Sequence, residues 1–172
     1  VSRDPDFIEN GGGALVRYLG AVPSALDCWI TSIGLKTLPL RMREHCANAR
    51  ALAEFLESNE KVMRTYWPGL ESHPQHEIAA KQMDDFGAMI SVDMGDFQTA
   101  CRLMDGLSMS SLAVSLGNVD TLVQHPASMT HRLMSEEDRL AVGITEGMVR
   151  ISAGIEAAKD IIADFDRAIS GL

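Results

Sequence analysis

Two parts of the sequence carry side chains that could bind or transform a ligand. The segment from Ser115 to His131, SLGNVDTLVQHPASMTH, concentrates hydroxyl and imidazole groups without a helical or strand period. Arg150 lies in the run MVRIS, where Val149 and Ile151 would point to the opposite face of a strand. A guanidinium on a rigid strand suits bidentate binding of a carboxylate. The spacing alone nevertheless favours a solvent-facing arginine, which is the usual environment of this residue.

The histidines do not follow a metal-binding pattern. Pro74 between His73 and His76 prevents a regular helical pair, and His125 and His131 stand six residues apart in a loop. No cysteine or carboxylate completes a tetrahedral set at the usual spacing, so the sequence predicts no metal site.

Nucleophilic catalysis has little support in the sequence. The G-x-S-x-G motif is absent, and linear closeness of Ser115 or Ser128 to His125 or His131 does not establish a Ser–His pair. The glycine run of residues 11–13 lacks the last glycine of a dinucleotide-binding motif and follows no predicted strand. We interpret this run as a linker or an exposed turn.

The elements that must position these residues follow from hydrophobic periodicity. Ser24 is a suitable N-cap for a short helix that Gly34 would end, and a longer helix is predicted over residues 39–59, with Pro39 in its first turn. Strands are predicted in KVMRTYW, AMISVDM, SLAVS and MVRIS. Four further helices are predicted at His76–Met83, Phe97–Leu107, Ser135–Val142 and Ala157–Ile169.

The predicted fold class is therefore α+β. We expect a small, mostly antiparallel sheet of about four strands, covered by helices and preceded by a helical arm. With 172 residues the chain is long enough for one well-buried core.

Composition excludes several classes of partner. The net charge of −9 argues against binding nucleic acid or anionic membrane surfaces, and no apolar run is long enough for a membrane span. Cys28, Cys46 and Cys101 are odd in number and widely spaced, which is typical of reduced thiols in a cytoplasmic protein. The first residues, VSRDPDF, do not form a secretory signal.

Six motifs occur in order along nearly the whole chain. They are LGAVPSALDCW, GLKTLPLRM, HCANARALAEFLESN, YWPGLESHPQHEIAAKQM, AVSLGNVDTLVQHPASMTH and GITEGMVRISAGIE. Together they resemble the carboxy-terminal portion of the pyridoxal-phosphate enzymes of cysteine and methionine metabolism. This family includes cystathionine γ-synthase, cystathionine γ-lyase, methionine γ-lyase and homoserine sulfhydrylase.

The resemblance implies a fold and a set of site residues. Residues 1–38 would be an interdomain segment with a connecting helix, and residues 39–172 the carboxy-terminal small domain of a fold-type I enzyme. The segment that begins at Ser115 resembles a substrate-binding loop, with Ser115 and the backbone of Leu116 near the substrate carboxylate. Arg150 matches the family's carboxylate-binding arginine, which reverses the preference that spacing alone gave.

The resemblance also implies a part that this chain does not contain. Such an enzyme needs a lysine for covalent attachment of pyridoxal phosphate, and that lysine lies in an S-x-T-K context. None of the four lysines has that context; they are Lys36, Lys61, Lys81 and Lys159. We therefore expect the cofactor-binding large domain to lie upstream of residue 1, no catalytic residue within this chain, and no activity of the chain alone. The other expected partners are an amino-acid substrate, this large domain and further copies in a homo-oligomer.

One residue bears on substrate choice. Family members that act on cystathionine tend to carry Glu immediately before the serine of S-L-G, whereas this chain has Val114. Valine cannot pair with the distal ammonium of cystathionine, so the resemblance points to γ-elimination from a substrate such as L-methionine. A cystathionine γ-lyase, cystathionine γ-synthase or homoserine sulfhydrylase domain remains an alternative, as does a non-catalytic amino-acid-binding or assembly module.

Overall fold

A computed structural model describes residues 2–172, and Val1, where the predicted interdomain segment begins, lies outside the described part. The chain divides into two compact units, Val1–Pro39 and Leu40–Leu172. Across the described residues, no helix combines the length and the apolar character needed to cross a membrane.

The amino-terminal unit is helical where the sequence predicted loops. A π-helical turn spans Phe7–Gly12 and runs directly into helix α1 (Gly13–Leu19). The interpretation of the glycine run as a linker or turn was wrong, because these residues are helical. Gly13 shows why glycine occurs here: a Cβ would stand 2.6 Å from the carbonyl oxygen of Ile8. Gly20 then ends α1 in the left-handed conformation, with φ of 62°.

None of the described residues of this unit is buried within the chain. The exposed residues include many large apolar side chains, among them Phe7, Ile8, Leu15, Tyr18, Leu19, Leu26, Trp29, Ile30 and Leu35. Apolar exposure on this scale is typical of a surface that packs against another protein segment.

Helix α2 spans Ala25–Glu57 without a break. Its start was predicted correctly: Ser24 Oγ accepts the N–H of Asp27 at 3.2 Å, and the Asp27 carboxylate accepts the N–H of Ser24 at 2.9 Å. The predicted stop at Gly34 and new start near Pro39 were wrong. Pro39 deprives the carbonyl of Leu35 of its helical donor, but Leu35 is exposed, so water can satisfy that carbonyl.

The carboxy-terminal unit is built on one five-stranded sheet. Its strands are β1 (Arg64–Tyr66), β2 (Met89–Asp93), β3 (Ser111–Leu112), β4 (Leu122–Gln124) and β5 (Met148–Ser152), in the spatial order β1-β2-β5-β4-β3. Only the β3–β4 pair is parallel. The predicted α+β class with a mostly antiparallel sheet is confirmed. The fifth strand is β4, which lies in the segment from Ser115 to His131, where the sequence predicted no strand.

Four shorter helices complete the unit close to their predicted positions: α3 (His76–Gln82), α4 (Phe97–Gly106), α5 (Glu136–Ala141) and α6 (Ala158–Ser170). One buried apolar cluster joins α2, α4 and α6 to the sheet. Its members include Leu52, Leu103, Val149, Ile151 and Phe165, all of them inaccessible to solvent. Burial of this set fixes β5 in the centre of the sheet.

Candidate functional site

Arg150 lies in the middle of β5, the central strand of the sheet. It faces Ser91 on β2 and Gln124 on β4 in antiparallel register. Val149 and Ile151 on either side are fully buried on the opposite face, whereas Arg150 is half-buried. The alternation predicted for MVRIS is therefore present, and it directs the guanidinium away from the apolar core.

Two groups contact the guanidinium. One terminal nitrogen of Arg150 donates to the carbonyl oxygen of Ser115 at 3.1 Å. The amide oxygen of Gln124, turned toward Arg150, lies 3.1 Å from Nε and 3.3 Å from each terminal nitrogen. This orientation is the one that chemistry allows, because the reverse would set amide N–H groups against guanidinium N–H groups.

The distances from Gln124 show how the arginine is held. An oxygen almost equidistant from all three nitrogens of a planar guanidinium lies over its face and not in its plane. The partial negative charge of the amide oxygen thus supports the cation from one side. Thr130 Oγ1 donates to the same oxygen at 3.2 Å, which fixes the amide. The N–H donors in the plane of the guanidinium are left for Ser115 and for a ligand.

Arg150 makes no ion pair with the residues that the structure describes. Ion pairs in this part of the chain include Arg50–Asp85, Arg139–Glu146 and Arg167–Asp164, and Arg150 takes part in none of these three. Burial lowers the pKa of the Arg150 guanidinium below its ordinary value, but an arginine remains protonated in proteins. A half-buried cation without an acidic neighbour favours a bound anion.

The Ser115 loop lies at the edge of this arrangement. Val114, Ser115 and Leu116 are exposed, and Gly117 has φ of 73°, which turns the chain back toward the sheet. The N–H of Gly117 donates to Ser152 Oγ at 3.1 Å. The structure thus brings the predicted residues Ser115 and Arg150 together, with Leu116 adjacent in the chain. Val114 is 55% exposed.

Two histidines lie in the segment from Ser115 to His131, and the buried one, His125, uses its ring nitrogens to hold the loop. The buried imidazole of His125 donates through Nε2 to the carbonyl oxygen of Glu146 at 2.9 Å. Its Nδ1 accepts the N–H of Ser128 at 3.1 Å and lies 2.8 Å from the Ser128 hydroxyl oxygen. Both nitrogens are therefore used to fix the loop. Ser128 is only three residues from His125, and Nδ1 accepts its backbone N–H, which is typical of a local side-chain-to-backbone motif.

The other histidine pair lies near α3. Nδ1 of His76 donates to the carbonyl oxygen of Pro68 at 2.8 Å, and Nδ1 of His73 accepts the N–H of Gln75 at 3.2 Å. Burial lowers the pKa of His73, and Arg64 and His76 lower it further. In the part of the chain that the structure describes, no three His, Cys, Asp or Glu side chains are grouped to hold a metal ion.

Two residues of the site were missed by sequence reasoning. Gln124 supports the guanidinium and Thr130 fixes the Gln124 amide, but both lie in the segment for which the sequence predicted an irregular loop. The signal that could have found Gln124 is the apolar pair before it, Leu122 and Val123, which marks a short buried strand next to β5.

The lysines do not fit covalent attachment of a cofactor at this site. Lys61 Nζ donates to the carbonyl oxygens of Ile169 and Ser170, at the end of α6. The other three lysines, Lys36, Lys81 and Lys159, are exposed on α2, α3 and α6. The residues described here can bind the carboxylate of a ligand, but they supply no amine beside Arg150.

Comparison with known proteins agrees with these features. The family model for Cys/Met metabolism PLP-dependent enzymes matches residues 4–170. The chain is 51% identical over 151 residues to an L-methionine gamma-lyase of Fusobacterium nucleatum subsp. polymorphum, covering 87% of this chain and 38% of that protein. It is 45% identical over 157 residues to a cystathionine beta-lyase of Lactococcus lactis subsp. cremoris, covering 91% and 41%.

A solved structure extends the comparison to three dimensions. The cystathionine gamma lyase of Micromonospora echinospora superposes with a TM-score of 0.89 and 42% identity, covering 100% of this chain and 45% of that one. The chain spans less than half the length of each of these three proteins. It belongs to the family of pyridoxal-phosphate-dependent enzymes of cysteine and methionine metabolism.

Proposed function

We propose that this chain is the carboxy-terminal domain of a pyridoxal-phosphate-dependent carbon–sulfur lyase, and that Arg150 binds the α-carboxylate of its amino-acid substrate. The observation that carries the proposal is a half-buried guanidinium on the central strand, in contact with the Ser115 loop and without an acidic partner among the described residues. Every α-amino acid brings the carboxylate that such a group lacks.

The roles of the site residues follow from these contacts. Gln124 supports the guanidinium from its face, so the in-plane N–H groups stay directed at the ligand. Ser115 contacts Arg150 through its carbonyl oxygen, and Leu116 follows it in the chain, so the Ser115 hydroxyl and the Leu116 N–H would donate to the other side of the carboxylate. A preorganised fork binds a carboxylate with little loss of side-chain entropy.

The proposal assigns cofactor attachment to a part of the protein outside this chain. Residues 1–38 would form the segment that joins two domains, and residues 39–172 the small domain. Support comes from the lysines, which do not fit the site, and from relatives more than twice as long as the matched region. The exposed apolar side chains of the amino-terminal unit support a partner there, either the large domain or a second copy.

The substrate that we propose is L-methionine or a similar sulfur amino acid, cleaved by γ-elimination. Val114 presents an uncharged, exposed side chain immediately before Ser115, which suits a methylthio group better than a distal ammonium. The 51% identity to an L-methionine gamma-lyase supports this choice. Cystathionine is the alternative, supported by the 45% identity to a cystathionine beta-lyase. The three cysteines are unpaired, which supports a cytoplasmic location.

Substitution of Arg150 in the complete protein tests the proposal. Arg150→Ala should lower kcat/KM for L-methionine by roughly a hundredfold or more, because it removes a charge-assisted bidentate contact. Arg150→Lys should recover little, since an ammonium lacks the planar fork. Arg64→Ala on the edge strand β1 is the matched control and should leave kcat/KM unchanged. An Arg150→Ala enzyme within about threefold of wild type would return this residue to the role of a solvated arginine.

A further inference from the structure

Two segments beside the proposed site are joined by several hydrogen bonds. The 117–121 segment follows Leu116 directly, and the 152–156 segment begins two residues after Arg150. Gly117 N–H donates to Ser152 Oγ at 3.1 Å, and Ile155 N–H donates to the carbonyl oxygen of Val119 at 2.8 Å. Each segment therefore leads into one side of the site, and each is held by the other.

The carboxylate of Glu156 also joins the two segments, by accepting two hydrogen bonds from Thr121. One oxygen accepts the N–H of Thr121 at 2.6 Å, and the other accepts the Thr121 hydroxyl at 2.9 Å. The hydroxyl oxygen in turn accepts the N–H of Gly154 at 2.9 Å. Thr121 is fully buried, so its N–H and hydroxyl cannot turn to water if the carboxylate is lost. Hydrogen bonds to a charged acceptor are the stronger kind.

The 152–156 segment is itself anchored on helix α2. The side-chain amide of Asn48 donates to the carbonyl oxygens of Gly154 and Glu156, at 3.0 and 2.7 Å. Nδ1 of His45 donates to the carbonyl oxygen of Ala153 at 2.7 Å. Both side chains are buried. The backbone of the 152–156 segment is thus anchored on α2, and the Glu156 side chain holds the 117–121 segment against it.

Gly154 shows how close the two segments are. A Cβ at this position would lie 2.4 Å or slightly more from the backbone of the 117–121 segment, at Val119 O and Thr121 N, and would overlap the Glu156 carboxylate. Only glycine allows this approach. The close contact between the two segments therefore depends on Gly154, and we expect it to contribute more than an exposed surface interaction.

We propose that Glu156 is a positioning residue, which holds the Ser115–Leu116 backbone at a fixed distance from Arg150 through its two hydrogen bonds to Thr121. The inference rests on the proposed function, because the object positioned is the carboxylate site. Glu156 would thus affect substrate discrimination without contacting Arg150, since its side chain binds Thr121 and the Arg150 contact is made by Ser115.

The test uses the complete protein and three variants. Glu156→Ala removes both acceptors, Glu156→Gln keeps one oxygen for the Thr121 N–H, and Thr121→Val removes the hydroxyl without changing the side-chain shape. The matched control is Glu54→Ala, which removes an exposed carboxylate from α2. The first readout is amide hydrogen exchange of residues 115–121. The second is the preference for L-methionine over L-methioninamide in binding, which isolates the carboxylate.

Glu156→Ala should speed exchange in residues 115–121 by roughly tenfold, and should reduce the preference for the carboxylate ligand by a similar factor. Glu156→Gln should restore part of both effects. Thr121→Val should add less in the Glu156→Ala background than it does alone, since the two residues share one contact. The effect that remains is the loss of the hydroxyl acceptor for the Gly154 N–H. If Glu156→Ala does not fold, Thr121→Val and Glu156→Gln test the same contact.

Unchanged exchange in residues 115–121 would overturn the inference whatever the ligand data show. Faster exchange with an unchanged carboxylate preference would also overturn it, provided that Arg150→Ala does reduce that preference. If Arg150→Ala leaves the preference intact, the proposed function fails first, and the positioning role fails with it. Exchange that rises equally in the Glu54→Ala control would show a general loosening of the fold and would count against Glu156.

Discussion

The buried carboxylate of Asp164 should make the stability of this chain sensitive to acid. Asp164 lies on α6 with its side chain 3% exposed. It accepts the N–H groups of Ser108, Met109 and Ser110 at 2.9 to 3.1 Å and the Ser108 hydroxyl at 3.0 Å. Burial raises the pKa of this carboxyl, but the donors together outweigh burial and lower the pKa to about 2. Arg167 makes a further ion pair with it.

The magnitude follows from the difference between the folded and the ordinary pKa. The pKa falls from 3.8 to about 2, and one pKa unit is worth about 1.4 kcal/mol, so the ionised carboxylate contributes about 2 kcal/mol. Because the folded pKa is the lower one, this contribution is present above the unfolded pKa of 3.8. It is lost as the pH falls through that value toward about 2.

Denaturant unfolding of wild type and Asp164→Asn measures this contribution. The variant should be less stable than wild type near neutral pH, because an amide N–H₂ would face the backbone donors of residues 108–110. The gap between the two proteins should narrow by about 2 kcal/mol between about pH 6 and about pH 2. Asp166→Asn, an exposed neighbour on the same helix, is the control and should show no such change. A gap that stays constant over this pH range would refute the reasoning.

Three further predictions concern packing, specificity and the cofactor. Gly69→Ala should lower the free energy of unfolding by about 2 kcal/mol or more, since a Cβ would overlap the buried ring of Trp67. Denaturant unfolding followed by tryptophan fluorescence measures this free energy, and a change below about 0.5 kcal/mol would contradict the prediction. Val114→Glu should shift kcat/KM of the complete protein from L-methionine toward L-cystathionine, and a wild-type preference for cystathionine would show that Val114 does not set the choice. Pyridoxal phosphate added to the isolated chain should give no borohydride-reducible linkage to a specific lysine, as peptide mapping would establish.

The strands that alternate or carry long apolar runs could be predicted from the sequence. AMISVDM and MVRIS were predicted as strands because their apolar residues recur at every second position. The structure confirms that Ile90, Val92, Val149 and Ile151 are all buried. β4 could not be found by alternation, and its one local signal is the apolar pair Leu122 and Val123. It has only three residues, all three are buried, and polar loop residues surround it, so neither alternation nor length distinguishes it.

Helix α2 shows the opposite error. Gly34 and Pro39 are strong local signals for a helix end, yet the helix passes through both. Proline in a helix costs most when the carbonyl that it leaves unpaired is buried. Here that carbonyl belongs to exposed Leu35, which no local pattern reveals.

The site was only partly within reach of sequence reasoning. Arg150 and Ser115 were predicted from family motifs, and the structure places them in contact. The support from Gln124 and the connection from Glu156 to Thr121 depend on which strands and turns lie side by side. Such pairings join residues up to 35 positions apart, so they appear only once the sheet is assembled.

The most direct test of the central claim is whether Arg150 recognises a carboxylate as such. Binding of L-methionine and of L-methioninamide, which lacks the negative charge, should be measured on the complete wild-type protein and on Arg150→Ala. Wild type should prefer the carboxylate ligand by roughly a hundredfold, and Arg150→Ala should reduce that preference to about threefold or less, because the paired charge is gone. An Arg150→Ala protein that keeps the wild-type preference would contradict the account, because some other group would then bind the carboxylate.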